Sequence, residues 1–154
     1  MTKRICSKSS DIDTVTKSQR SDNMSRIRSK NTKPEMLVRK KLFEAGIRYR
    51  THVKDLAGKP DIAIKKYKMI IDIKGCFWHG HEGCKYSNTP KTNQSYWVPK
   101  ILKNKKRDID NHKKLSELGY KIFSIWECEI KDKVRFNSMM NTIISHIKNL
   151  RIRV

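Results

Sequence analysis

The apolar positions of this chain fall into stretches of two different spacings, and each spacing predicts an element. Met36, Leu37, Val38, Leu42 and Phe43 fit one face of a helix. Thr32-Lys33-Pro34-Glu35 just ahead is a capping-box pattern with proline in the first turn, and Gly46 supplies the stop. Residues 47–53 read as extended. Gly58-Lys59-Pro60 is a turn. Residues 61–64 and 67–74 then read as a hairpin, its second strand built on the buried run Met69-Ile70-Ile71. Residues 83–95 form a polar loop. Pro99 opens a basic helix that runs to about residue 118, where Gly119 closes it. Residues 120–126 are a further central strand, and 134–150 an amphipathic helix with Met139, Ile143, Ile144 and Ile147 on one face. The order α-β-β-β-α-β-α predicts an α/β fold, a mixed central sheet flanked by helices. Residues 1–22 hold few apolar side chains and read as a disordered leader, which leaves 23–154 as one folded domain.

Charge narrows the function. The 154 residues carry 36 Lys+Arg against 15 Asp+Glu, a formal charge of +21. Self-repulsion on that scale calls for an anionic partner. The leader contributes little of the excess, so the folded part holds it. No long apolar run, lipidation signal or secretory segment opens a membrane or secreted reading. The expectation is a cytoplasmic protein that acts on nucleic acid, with a ribosomal or chromatin-like basic protein as the plainer alternative. The helix beginning near Pro99 carries Lys100, Lys103, Lys105, Lys106, Arg107, Lys113 and Lys114 against only Asp108 and Asp110, which suits phosphate contact over a solvated face. Four cysteines in such a compartment point to metal before disulfides, with Cys6 in the leader expected to have no structural role.

Two constellations carry chemistry. Pro60-Asp61, ten residues, then Asp72-Ile73-Lys74 resembles the PD-(D/E)xK nuclease signature. Hairpin pairing can bring Asp61 and Asp72 together, and Asp72 shares a strand face with Lys74. Two carboxylates and the Ile73 carbonyl suit Mg²⁺, which polarises a phosphate and acidifies an attacking water. Lys74 can orient that water or neutralise developing charge. Glu35 is a further acid for a metal-bound water, unless the helix cap is its whole role. Immediately after, Cys76, His81 and Cys84 offer three zinc ligands and Cys128, beyond the last strand, a fourth. That closed structural site would staple a loop to the far side of the domain. Phe77 and Trp78 lie inside the cluster. On a rigid loop they can wedge between bases, at a cost that is lower beside a mismatch.

Gly75-Cys76-Phe77-Trp78-His79, followed downstream by Trp126-Glu127-Cys128, resembles the very-short-patch repair endonuclease family (Vsr), which nicks DNA at T:G mismatches. The segment Asn23-Met24-Ser25-Arg26-Ile27-Arg28-Ser29-Lys30-Asn31-Thr32 fits it, as do Gly58-Lys59-Pro60-Asp61 and Tyr96-Trp97 leading into the basic helix. The resemblance covers roughly residues 21–130. It implies a restriction-endonuclease-like PD-(D/E)xK core with a structural zinc site. Asp61 and the Ile73 carbonyl would hold Mg²⁺, His79 would be the catalytic histidine, and Cys76, His81, Cys84 and Cys128 the zinc ligands. Phe77, Trp78 and Trp97 would be the wedging aromatics, with Glu35 and Asp108 acids of the active site. The implied partner is double-stranded DNA with a T:G mismatch, and the implied pathway is repair of deaminated 5-methylcytosine, linked to a cytosine-5 DNA methyltransferase. A monomer suits one nick at an asymmetric lesion. Two positions depart from the family. Glu82-Gly83 makes the ligand loop one residue longer than in its best-known member. Asp72 and Lys74 stand where that member has an aromatic and a histidine. This leaves either His79 or Lys74 to assist the water, and keeps open a restriction-type or selfish-element nuclease on matched DNA. A zinc-bearing DNA-binding module without catalysis is the reading from another class.

Overall fold

A three-stranded mixed sheet, ordered β1-β2-β3, organises the molecule. The computed structural model describes residues 16–152 apart from 27, 29, 89, 90 and 92. The hairpin forms as expected: β1 (Ile62–Ile64) runs antiparallel to β2 (Met69–Lys74), joined by a 3₁₀ turn at Lys65–Tyr67 and Lys68 in the left-handed region. Helix α3 (Gln94–Glu117) then crosses over so that β3 (Lys121–Trp126) lies parallel to β2. A short helix α4 (Glu127–Lys131) leads into α5 (Lys133–Ile152).

Side-chain alternation along the strands divides the interior into two layers. Ile62, Ile64, Met69, Ile71 and Ile125 face α2 (Lys33–Glu44) and α5, against Val38, Leu42, Phe136, Met140, Ile143 and Ile147. Ala63 and Ile70 face the other way, toward Leu56 and Leu115 of α3. Asp72 and Lys74 have the parity of Ile70, so their side chains emerge on the α3 side. The sheet thereby puts its hydrophobic layer on one face and its polar chemistry on the end of the other.

Four expectations are corrected. Residues 47–53 form no strand; their sheet contact is a single antiparallel bridge, Arg50 with Ala63, and His52 with φ of +48° breaks the extension. Helix α3 starts at Gln94 rather than Pro99, because burying Trp97 outweighs the hydrogen bond that proline removes. In α2 only Val38 and Leu42 of the five apolar positions are buried, while Phe43 is 79% exposed. Positions 38 and 42 lie about 40° apart on the helix circumference, and 36, 37 and 43 point elsewhere. The end of the expected leader is helical: α1 spans Lys17–Ser25, begun by a capping box between Thr16 and Gln19. The rest of that leader, Cys6 included, lies outside the described residues.

Candidate active site

The turn at Gly58-Lys59-Pro60 delivers Asp61 one residue before the Ile62–Ile71 pair, and therefore opposite Asp72. Residues directly opposite across an antiparallel pair share a face, and both carboxylates line one cleft of about 1150 Å³. Asp61 Oδ2 accepts a hydrogen bond from the Ile73 amide at 2.8 Å. The backbone of Ile73, whose carbonyl was expected as a metal ligand, thus lies beside Asp61. Burial pushes the Asp61 carboxyl up to about 6 against the pull of that amide, and the nearby charges of Glu35 and Asp72 add to the rise. A buried acid with further carboxylates near it offers hard oxygen donors that fit a divalent cation such as Mg²⁺.

Of the two roles anticipated for Glu35, the helix cap is present, and its position is open to the other. As the third residue of α2 it completes the capping box with Thr32. It is also buried and faces the cleft, where its carboxylate, His52 and Asp61 offer ligand atoms within 4.8 Å of one another. Arg39 occupies the flank of this group. Its guanidinium bonds Glu35 at 2.9 Å and Asn31 at 2.6 Å and lies 3.2 Å from the His52 ring. A buried carboxylate is stable only with such a partner.

Across the cleft, His79 Nδ1 meets Asp108 Oδ2 at 2.5 Å, and Lys74 Nζ lies 3.7 Å from the same oxygen. Burial acts to raise the Asp108 carboxyl, but the His79 hydrogen bond and charge, aided by Lys74, hold it below its ordinary value. The pairing leaves Nε2 as the histidine's other basic atom, in the arrangement that orients a catalytic imidazole. Lys74 also stands 5.7 Å from the centre of the Trp126 ring.

Helix α3 supplies this site from one stripe. Asn104 donates to the Trp78 carbonyl at 3.0 Å, Asp108 holds His79, and His112 Nε2 meets Asp72 Oδ2 at 2.7 Å. These three residues are spaced at intervals of four, one face of a helix. Asn104, His112 and His52 were not expected at the site. The i, i+4 spacing of the first two with Asp108 was the available signal, but it needed the knowledge that this face looks at the strand ends.

Cys76, His81, Cys84 and Cys128 converge, with ligand atoms all within 4.8 Å of one another. Three thiolates and one imidazole gathered this closely fit the donor set of a tetrahedral zinc ion. Cys128 Sγ lies 3.5 Å from His81 Nδ1, and the His81 ring stacks on Trp126 with centroids 3.9 Å apart. Burial pushes the Cys76 thiol up to about 12, which a bound cation would reverse. The added Glu82 of this loop pairs with Lys105 at 2.9 Å.

The three expected wedge aromatics sit together, but not freely presented. Phe77 packs edge-on against Trp78 and Trp97, with centroids 5.1 and 5.2 Å away. Phe77 and Trp78 are half-buried, while Trp97 is only 8% exposed. Lys100 lies over the rings of Trp78, Tyr96 and Trp97. Lys103, Lys106 and Arg107 are exposed along α3.

The chain is similar to known DNA-cutting proteins. Residues 12–85 match the family described as DNA mismatch endonuclease Vsr. The chain is 47% identical over 137 residues to the type II nicking enzyme V.NmeAIP of Neisseria meningitidis, covering 89% of this chain and 97% of that one. It is 40% identical to the type II nicking enzyme V.XorIIP of Xanthomonas oryzae, over 79% of this chain and 88% of the relative. With the DNA mismatch endonuclease Vsr of Escherichia coli it shares 34% identity, over 76% and 74% of the two chains. The protein is therefore a DNA endonuclease. Within that class, the chain belongs to the Vsr family.

Proposed function

We propose that this endonuclease nicks one strand of double-stranded DNA on the 5′ side of the T in a T:G mismatch, with Mg²⁺ at Asp61 and Asp72. The observation that carries the reading is the pairing of Asp61 and Asp72 on one strand-end face, opposite the His79–Asp108 dyad. When bound, Mg²⁺ supplies charge neutralisation at the scissile phosphate and a more acidic water. Asp61, with Asp72 and the Ile73 backbone beside it, holds that ion. Asp108 fixes the tautomer of His79, whose free nitrogen takes or gives the proton. In this reading Lys74, 3.7 Å from Asp108, neutralises charge near the phosphate, and His79 assists the water. Glu35 orients water at the edge of the metal site.

Zinc at Cys76, His81, Cys84 and Cys128 is structural in this reading. It ties the loop carrying Phe77, Trp78 and His79 to the helix after β3. Mismatch preference would come from Phe77, Trp78 and Trp97, which exchange contacts with each other for contacts with bases. A T:G pair lowers the cost of opening the stack. Lys100, Lys103, Lys106 and Arg107 supply phosphate contacts. The domain from residue 23 onward acts as a monomer, and a cytosine-5 methyltransferase sets the sequence context in which lesions arise.

The decisive assay measures nicking of duplexes identical except for one base pair, covering every single mismatch, with Asp61→Ala as control. Preferential nicking 5′ to the T of T:G, abolished by the control, is expected. Equal cleavage of the fully matched duplex transfers the protein to the restriction-type reading that Asp72 and Lys74 resemble. An absence of nicking with either Mg²⁺ or Mn²⁺ leaves only DNA binding.

A further inference from the structure

His112 touches Asp72 at its Oδ2 and, among the described residues, no other acid of the cleft. Asp72 ends a strand opposite Asp61, and two ionised carboxylates in that arrangement repel each other. An aspartate at a strand end has the torsional freedom to turn away. His112 opposes that turn, with Nε2 2.7 Å from Oδ2, and both side chains are largely shielded. Oδ1 takes no hydrogen bond among the described residues. The histidine is itself well anchored. Leu115, one helical turn on, is buried against Ala63 and Ile70 of the sheet. Asp108, one turn earlier, is tied to His79. The helix is therefore fixed on either side of His112, by the loop after β2 at Asp108 and by the sheet at Leu115.

We propose that His112 is a positioning residue: it fixes one oxygen of Asp72 so that the other is presented with Asp61 to a single divalent cation. This rests on the metal-dependent reading above and deepens it. Carboxylate ligands are generally held by hydrogen bonds from outside the coordination sphere. Loss of such a partner costs roughly 10- to 100-fold in metal affinity or activity. The pair also explains how this chain keeps an aspartate at position 72: the residue four positions beyond Asp108 supplies its partner.

The test compares His112→Leu, His112→Gln, Asp72→Asn and the Leu/Asn double variant in the full chain. It has two readouts: the Mg²⁺ concentration giving half-maximal nicking, and Mn²⁺ binding by titration calorimetry without DNA. His112→Leu is expected to raise the Mg²⁺ requirement and weaken Mn²⁺ binding by roughly 10- to 100-fold, with KM for DNA unchanged. Glutamine, which can still donate to the carboxylate, should recover part of the loss. The double variant should bind metal no more weakly than Asp72→Asn alone, because one interaction cannot be lost twice. Unchanged metal dependence in His112→Leu, or losses that add in the double variant, overturns the proposal. Asp61→Asn separates the two levels: if it is inactive while His112→Leu is normal, the metal site stands and only the role of His112 falls. If Asp61→Asn nicks normally, the metal site and the proposal fall together.

Discussion

In the proposed function, Asp61 is a single residue that trades stability for chemistry. Its carboxyl is raised from 3.8 to about 6, chiefly by burial. A group whose folded value lies above its unfolded value favours folding most when protonated. That contribution is complete below the unfolded value and is lost as pH rises through the folded one. At neutral pH without metal, ionised Asp61 therefore weakens the fold. Asparagine retains an oxygen for the Ile73 amide and carries no charge. Asp61→Asn should raise stability at pH 7.5 by about 1–2 kcal/mol, after discounting for the open side of the cleft, while nicking is lost. The gain should shrink between pH 6 and pH 4. Thermal melts of the two metal-free proteins across that range measure it, and equal melting temperatures at pH 7.5 count against a strained acid.

Among the elements, α2 and α3 each present two unlike faces. Helix α2 buries Val38 and Leu42 in the main core, directs Glu35 to the cleft with Arg39 bonded behind it, and leaves Phe43 in solvent. Leu42→Ala should cost about 2–5 kcal/mol through lost burial and a cavity. Phe43→Ala should stay within roughly 0.5 kcal/mol. Denaturant titration of both variants distinguishes this register from the one the apolar count in α2 alone suggests. Helix α3 is closed on its inner stripe by Asn104, Asp108, His112 and Leu115, while Lys103, Lys106 and Arg107 lie outside. One helix thus holds His79 and Asp72 from its inner face and turns positive charge outward, so in the proposed function the site and the phosphate contacts share one rigid element.

At the scale of the whole molecule, the +21 charge is the property most readily tested. Among the described residues, several cations are engaged internally, Lys74 and Lys105 among them. The exposed remainder on α3 and around the cleft is free for phosphates. If about six phosphates are contacted, log K for duplex DNA should fall with log salt with a slope of roughly −5. Filter binding at stepped NaCl concentrations measures that slope. Neutralising Lys103 and Lys106 together should reduce its magnitude by about 2, one for each contact removed. A flat salt response would remove α3 from the interface.

The local chemistry of the chain determined the hairpin, the helix stops at Gly46 and Gly119, the capping box at Thr32, and the Cys/His convergence. Each depends on short-range geometry or on residue types with few other uses. Asp61 and Asp72 were legible for the same reason, since a hairpin with a fixed register places them opposite each other. Tertiary packing alone decided the rest. The start of α3 depended on Trp97 finding Phe77, and the exposure of Phe43 on which side of α2 met the sheet. The partners of Asp72, His79 and Glu35 come from residues 17–40 positions away or one helical turn along. Sequence spacing records which side chains share an element's face; only the docking of elements determines what that face meets.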